Sequence, residues 1–150
     1  MAEKKIKKSH IDYGFGFPVV LLDAPFRKVQ GKWVLDLNFE KYEKAVLMAL
    51  THKPARLSGN EVKFIRHSFE MTQKAFAKRF GDGTHPAVIG WEKQGDKPTN
   101  MSWSTEKDIR LFIVDNLNPS RLRKAYAELE QSVPKRSEKV QIQSSDIHAA

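Results

Sequence analysis

The stretch TQKAFAKRFGDGTHPAVIGWEKQG, from Thr72 to Gly95, constrains the fold more than any other part of the chain. It carries two short apolar patterns of helical spacing, Phe76–Ala77–Phe80 and Val88–Trp91, with Gly81, Asp82, Gly83 and Thr84 between them. Thr72 and Thr84 are N-cap residue types, and Gly81 and Gly95 suit the ends of the two helices. Helices that meet at a steep angle need a short connection of this kind, and Ala77 supplies a small side chain where the backbones approach. Val88 and Trp91 anchor the second helix from its inner side, so that its N-terminal end projects outward. The expected arrangement is a helix-turn-helix with a recognition helix from His85 to about Lys93.

The flanking sequence divides into segments. Residues 1–12 are basic and read as a loose arm. "GFPVVLLDAP" and "FRKVQGKWVLDL" are rich in Val, Leu and aromatics, with turns marked by Pro25 and Gln30-Gly31. They predict two or three short strands, the second pair forming a hairpin. Asn38 is placed to cap a helix from Phe39 to Thr51 that Pro54 ends, which completes a small module over residues 13–54. Two or three strands alone rarely hold together in water, so this module is expected to pack on the helices or on a second subunit.

Residues 55–133 form the expected helix-turn-helix domain. Ser58 and Glu61 make a capping box, with Val62, Ile65 and Phe69 on the buried face behind it. A later helix begins between Ser102 and Thr105 and turns Ile109, Phe112, Ile113 and Leu117 inward. Ser120 to about Gln131 is a further helix, whose Leu122–Tyr126–Leu129 stripe suits the core or a dimer surface. Residues 134–150 are polar and predict a disordered tail. The expected fold is mainly α: a helix-turn-helix bundle of four to five helices with a small N-terminal β-hairpin and helix module.

Composition narrows the function. The chain has no cysteine, and its histidines, at positions 10, 52, 67, 85 and 148, include no pair spaced as metal ligands on a helix. No metal and no cofactor are expected. No nucleophile elbow, phosphate-cradling loop or Ser-His-Asp set is present, so no enzymatic activity is expected. No apolar run reaches the roughly 20 residues of a membrane span, and the basic start is not followed by an apolar stretch, which predicts a cytoplasmic protein without a membrane partner. The formal net charge of +8 suits an anionic partner, nucleic acid first.

Thr72-Gln73, Ala77, Gly81 four residues later, Val88 and the Trp91-Glu92 pair occur in the order of a known family. Ser58 to about Leu117, roughly 60 of the 150 residues, resembles the lambda-repressor-like (Cro/repressor, XRE) helix-turn-helix family. The whole chain is similar to antitoxins with an N-terminal partner-binding region, including a group whose N-terminal domain holds zinc through cysteines that this chain lacks. The resemblance implies phosphate contacts by Gln73, Lys74 and Lys78. It places Thr84, His85, Pro86, Ala87, Ile89 and Gly90 against the major groove, and Lys93 on the backbone. His85 suits a base edge, and Ala87 and Ile89 suit thymine methyls. The stretch departs from the family pattern by one extra residue between Gly81 and Trp91, and by Gly90, where a polar or basic side chain is common. The implied function is a sequence-specific repressor of double-stranded DNA, acting as a homodimer and autoregulating as the antitoxin of a cognate toxin. A stand-alone regulator of a mobile element, and a partner-binding adaptor without DNA binding, are the alternatives.

Overall fold

The computed structural model describes residues 5–80 and 84–147. Strands β1 (Lys5–Asp12), β2 (Val19–Val29) and β3 (Lys32–Leu35) lead into helices α1 (Phe39–Thr51), α2 (Gly59–Ser68), α3 (Gln73–Arg79), α4 (His85–Lys93), α5 (Trp103–Leu117) and α6 (Leu122–Glu128). The chain then returns as strand β4 (Val140–Gln143). β2 is the centre of the sheet. It runs antiparallel to β1 along one edge; on the other it pairs antiparallel with β3 and parallel with β4. The expectation of a mainly α bundle is corrected by this arrangement. With 48% helix and 22% strand, six helices and a four-stranded mixed sheet among the described residues, the fold is α+β.

Two stretches that read as unstructured account for the difference. Lys5–Asp12 is not a loose arm but a strand, with Ile6 opposite Phe26 and His10 opposite Leu21. The His10 ring meets Phe26 edge-on at 5.4 Å, and Asp12 accepts a 2.6 Å hydrogen bond from the Tyr42 hydroxyl. Burial, that hydrogen bond and the Asp12 charge push the Tyr42 phenol above its ordinary value. Nor is the tail disordered throughout: Val140 and Ile142 of β4, and Ile147 of the 3-10 turn after it, are buried. The Ile147 carbonyl accepts from the Asn38 N–H, which ties this turn to the start of α1. The first four residues of the arm and the last three of the tail lie outside the described residues.

β2 also runs through Pro25, which reads in the sequence as a turn. A bulge opposite Ser9 places Asp23 at φ 51° and shifts the alternation by one residue. Val19 and Leu21 before it, and Ala24 and Phe26 after it, are therefore all buried. Gln30 and Gly31, at φ 49° and 80°, make the tight β2–β3 turn, where both central residues need positive φ. Phe15 and Phe17, between β1 and β2, meet Phe64 of α2 at 4.9 and 5.4 Å. One core accordingly continues from the sheet through Val46 and Leu50 of α1 to Ile65, Phe76 and Ile109. α6 packs on α5 in a smaller cluster with Ala125 and Leu129, while Tyr126, the middle of the expected stripe, is exposed.

Buried charges hold the segment that joins α1 to α2. Arg110 of α5 has a fully buried side chain and donates to the Lys53 and Ala55 carbonyls at 2.8 Å and to Glu106 Oε2 at 2.9 Å. Glu106 also accepts from Arg56 Nε at 2.9 Å and from the Leu57 N–H at 3.1 Å. Lys53 bonds both oxygens of Glu61, whose Oε1 closes the capping box of α2 on the Ser58 N–H. These bonds set where α2 begins, and so where α3 and α4 stand.

Candidate nucleic-acid interface

α2 carries the pair α3–α4, and the closest approach lies at Gly59. A Cβ there would stand 2.4 Å from the Trp91 carbonyl oxygen and 2.9 Å from the Gly95 nitrogen, so no side chain fits. The Gly59 and Asn60 N–H groups, unsatisfied within their own helix, donate to the carbonyls of Lys97 and Gly95. Gly95, at φ 61°, ends α4 in the conformation that glycine favours. Thr72 caps α3 through the Ala75 N–H at 3.1 Å. Thr84 occupies the N-cap position of α4 without a side-chain capping bond, and Pro86 sits in the first turn, where its missing N–H removes no helical hydrogen bond. Val88 and Trp91 are buried, and Trp91 meets Phe76 edge-on at 6.4 Å. The two inner faces therefore meet as the spacing predicts. Gly81, Asp82 and Gly83, where the sequence places the turn and the extra residue, lie outside the described residues.

A chain of polar side chains crosses the three helices. Arg66 of α2 donates to Glu92 Oε1 at 2.8 Å and to the Met71 carbonyl at 2.9 Å. Glu92 Oε2 accepts from Gln73 Nε2, and Gln73 Oε1 faces His85 Nε2 at 3.2 Å. Glu92 and Arg66 are largely buried, with 7% and 11% of their side chains exposed, so the inner half of the chain is shielded from solvent while His85 is exposed. Because the Gln73 amide nitrogen is engaged by Glu92, its oxygen is left for His85. The neutral His85 ring then carries its proton on Nε2 and leaves Nδ1 as an acceptor.

The residues implied by the resemblance fall into three groups. Thr84, His85, Pro86, Gly90 and Lys93 of α4, and Lys74 and Lys78 of α3, are exposed. Ala87 and Ile89 are half-buried, with Ala87 packed against the core, which leaves Ile89 the fuller apolar contact. Gln73 is half-buried and its side chain is committed to Glu92 and His85, so it acts first on the orientation of His85. Gly59, Arg66 and Arg79 were not picked out by the sequence reading. Arg79 lies over Phe80 and Phe112 and pairs with Asp108 at 2.9 Å. A glycine directly after a capping serine was a signal for the first of these; the Arg66–Glu92 pairing, 26 residues apart, had none.

Gly90 separates packing from contact. A Cβ at this position meets nothing within 4 Å, so the fold does not require glycine there. Gly90→Ala should stabilise the free protein by up to about 1 kcal/mol through helix propensity, read as a rise in the urea midpoint. A fall in DNA affinity in the same variant would locate close approach of the duplex at Gly90; a fall in stability would contradict the open geometry.

No family model matches the chain, and no curated protein or solved structure matches it either. Among the described residues no helix is long and apolar enough to cross a membrane.

Proposed function

We propose that the chain is a sequence-specific regulator that binds double-stranded DNA through α4. The observation that carries this reading is the Arg66–Glu92–Gln73–His85 chain, which orients an exposed histidine that packing does not need. With Nδ1 free to accept, His85 suits the exocyclic amine of adenine or cytosine, and Ile89 suits a thymine methyl. Lys74, Lys78 and Lys93 supply phosphate contacts, and two copies would read half-sites about one helical turn apart. Repression of its own operon as the antitoxin of a cognate toxin is the role favoured within this reading, with a stand-alone regulator as the other.

His85→Ala should alter the motif recovered by selection from random duplexes, at a cost of about 1–3 kcal/mol on the preferred site. Gln73→Ala should shift the same motif positions, because it releases His85. An unchanged motif in both variants would remove α4 as the reading helix. Absence of binding to any duplex would leave the adaptor reading, which draws on the uncharged face from Pro86 to Gly90.

A further inference from the structure

We infer that Glu92, a positioning residue whose own oxygens are already engaged, decides which class of base His85 reads. The inference rests on the DNA-binding reading and names what that site selects. Each link from Arg66 to His85 has its polarity fixed by the one before it. A guanidinium has donors and no acceptor, so Arg66 Nε can bond only an acceptor, and it holds Glu92 Oε1 at 2.8 Å. The Met71 carbonyl, at 2.9 Å from Arg66 Nη1, keeps the guanidinium in place. A carboxylate has acceptors and no donor, so Glu92 Oε2 draws the amide nitrogen of Gln73 toward itself. Gln73 Oε1 is thereby left on the far side, 3.2 Å from His85 Nε2. A carbonyl oxygen only accepts, so the neutral ring carries its proton on Nε2 and presents Nδ1 as an acceptor.

Exchanging one oxygen of Glu92 for nitrogen reverses the whole series. In Glu92→Gln, Arg66 still claims the oxygen, so the new amide nitrogen faces Gln73. Two amide nitrogens cannot bond one another, and Gln73 turns over to accept with its oxygen. Its nitrogen then donates to His85 Nε2, and the ring proton moves to Nδ1. What was an acceptor at the base becomes a donor. In the major groove cytosine presents only its N4 amine, and guanine only its N7 and O6 acceptors. The parent therefore suits cytosine and not guanine where His85 points, and the variant the reverse. Adenine carries both an amine and N7, so it suits either form. Gln73→Lys reaches the same end with the Arg66–Glu92 pair intact. An ammonium has donors only, so beside Glu92 it meets His85 Nε2 with a proton.

Two measurements on the full chain test this. The first needs no DNA: nitrogen-15 spectra of the histidine rings at about pH 8.5, where an imidazole is neutral. The unmodified chain should carry the His85 proton on Nε2, and both variants should carry it on Nδ1. A free histidine ring also prefers Nε2, so the switch in the variants is the decisive result. The second is selection from random duplexes. At the position that His85→Ala disturbs, the ratio of guanine to cytosine should rise by about tenfold in each variant, with the rest of the motif kept. Gln73→Lys keeps the test readable if Glu92→Gln, which strips Arg66 of its counter-ion, does not fold. A proton that stays on Nε2 in the folded variants overturns the inference, and so does a switched proton with an unchanged base preference; neither result touches the assignment of α4. If the unmodified chain binds no duplex at low salt, the DNA-binding reading falls and takes the base choice with it, and the spectra alone then report the link from Glu92 to His85.

Discussion

Glu106→Ala is expected to cost about 3–5 kcal/mol of stability, the usual effect of breaking a buried ion pair by removing one partner. Two guanidinium groups lose their counter-ion at once, since Glu106 accepts from both Arg56 and Arg110 with none of its side chain exposed. Burial lowers the Arg110 guanidinium from the ordinary arginine value, and Glu106 is the largest influence that opposes it. A domain holds only about 5–15 kcal/mol in total, so the variant should melt many degrees lower, at roughly 2–4 °C per kcal/mol for a chain of this size. Replacing both partners with apolar side chains is often harmless in a buried pair. Here the double variant Glu106→Leu, Arg110→Met should not be harmless. Arg110 also satisfies the carbonyls of Lys53 and Ala55, which an apolar side chain would leave buried and unpaired, and Arg56 would keep a buried charge without its carboxylate. Equal melting temperatures for Glu106→Ala and the unmodified chain would refute the buried-staple account. A double variant as stable as the parent would refute its dependence on both the carbonyls and Arg56.

The helices were legible because each carries its own local signals. Asn38, Ser58 and Thr72 all cap where the sequence places them, and Gly95 ends α4. The sheet was not, because its signals are relational. β1 hides a period of two under lysines, since its inward positions include His10 and Asp12, whose partners Phe26 and Tyr42 are far along the chain. β2 loses its alternation at the Asp23 bulge, so that one strand reads as two strands about Pro25. β4 has four residues, and its partner Val19 lies at the other end of the sequence from Val140.

The site divides in the same way. Val88 and Trp91 were visible as an inner face, and Lys74, Lys78 and His85 as its outer companions. The role of Gln73 was not, because whether an amide faces phosphate or a neighbouring carboxylate depends on where Glu92 stands, one helix later. The buried charges were equally hidden. Arg110 interrupts the apolar run of α5 as though it belonged to the solvent face, and only the α1–α2 segment laid across it shows why it does not.

Ile142→Ala should be the second large loss, about 2–5 kcal/mol for truncation of a well-packed aliphatic side chain. Ile142 is 6% exposed and stands opposite Leu21 of β2, so its removal leaves a cavity at the parallel β2–β4 junction. Gln141→Ala, on the opposite and exposed side of the same strand, should change stability by no more than about 0.5 kcal/mol. The contrast between neighbours is what a paired strand demands and a disordered tail cannot produce, because in a disordered tail both substitutions would be silent. β4 follows a connection without regular structure, and if it leaves the sheet while the helices stay folded, the loss cannot exceed the free energy that docks it. A chain ending at Ser132 measures that ceiling in the same urea titration. The truncated chain should be destabilised by at least as much as Ile142→Ala, and hydrogen exchange at Val140–Gln143 in the intact protein should be slowed by the β2 ladder. Fast exchange there, or a truncated chain with the parent's urea midpoint, would return residues 134–147 to the solvent.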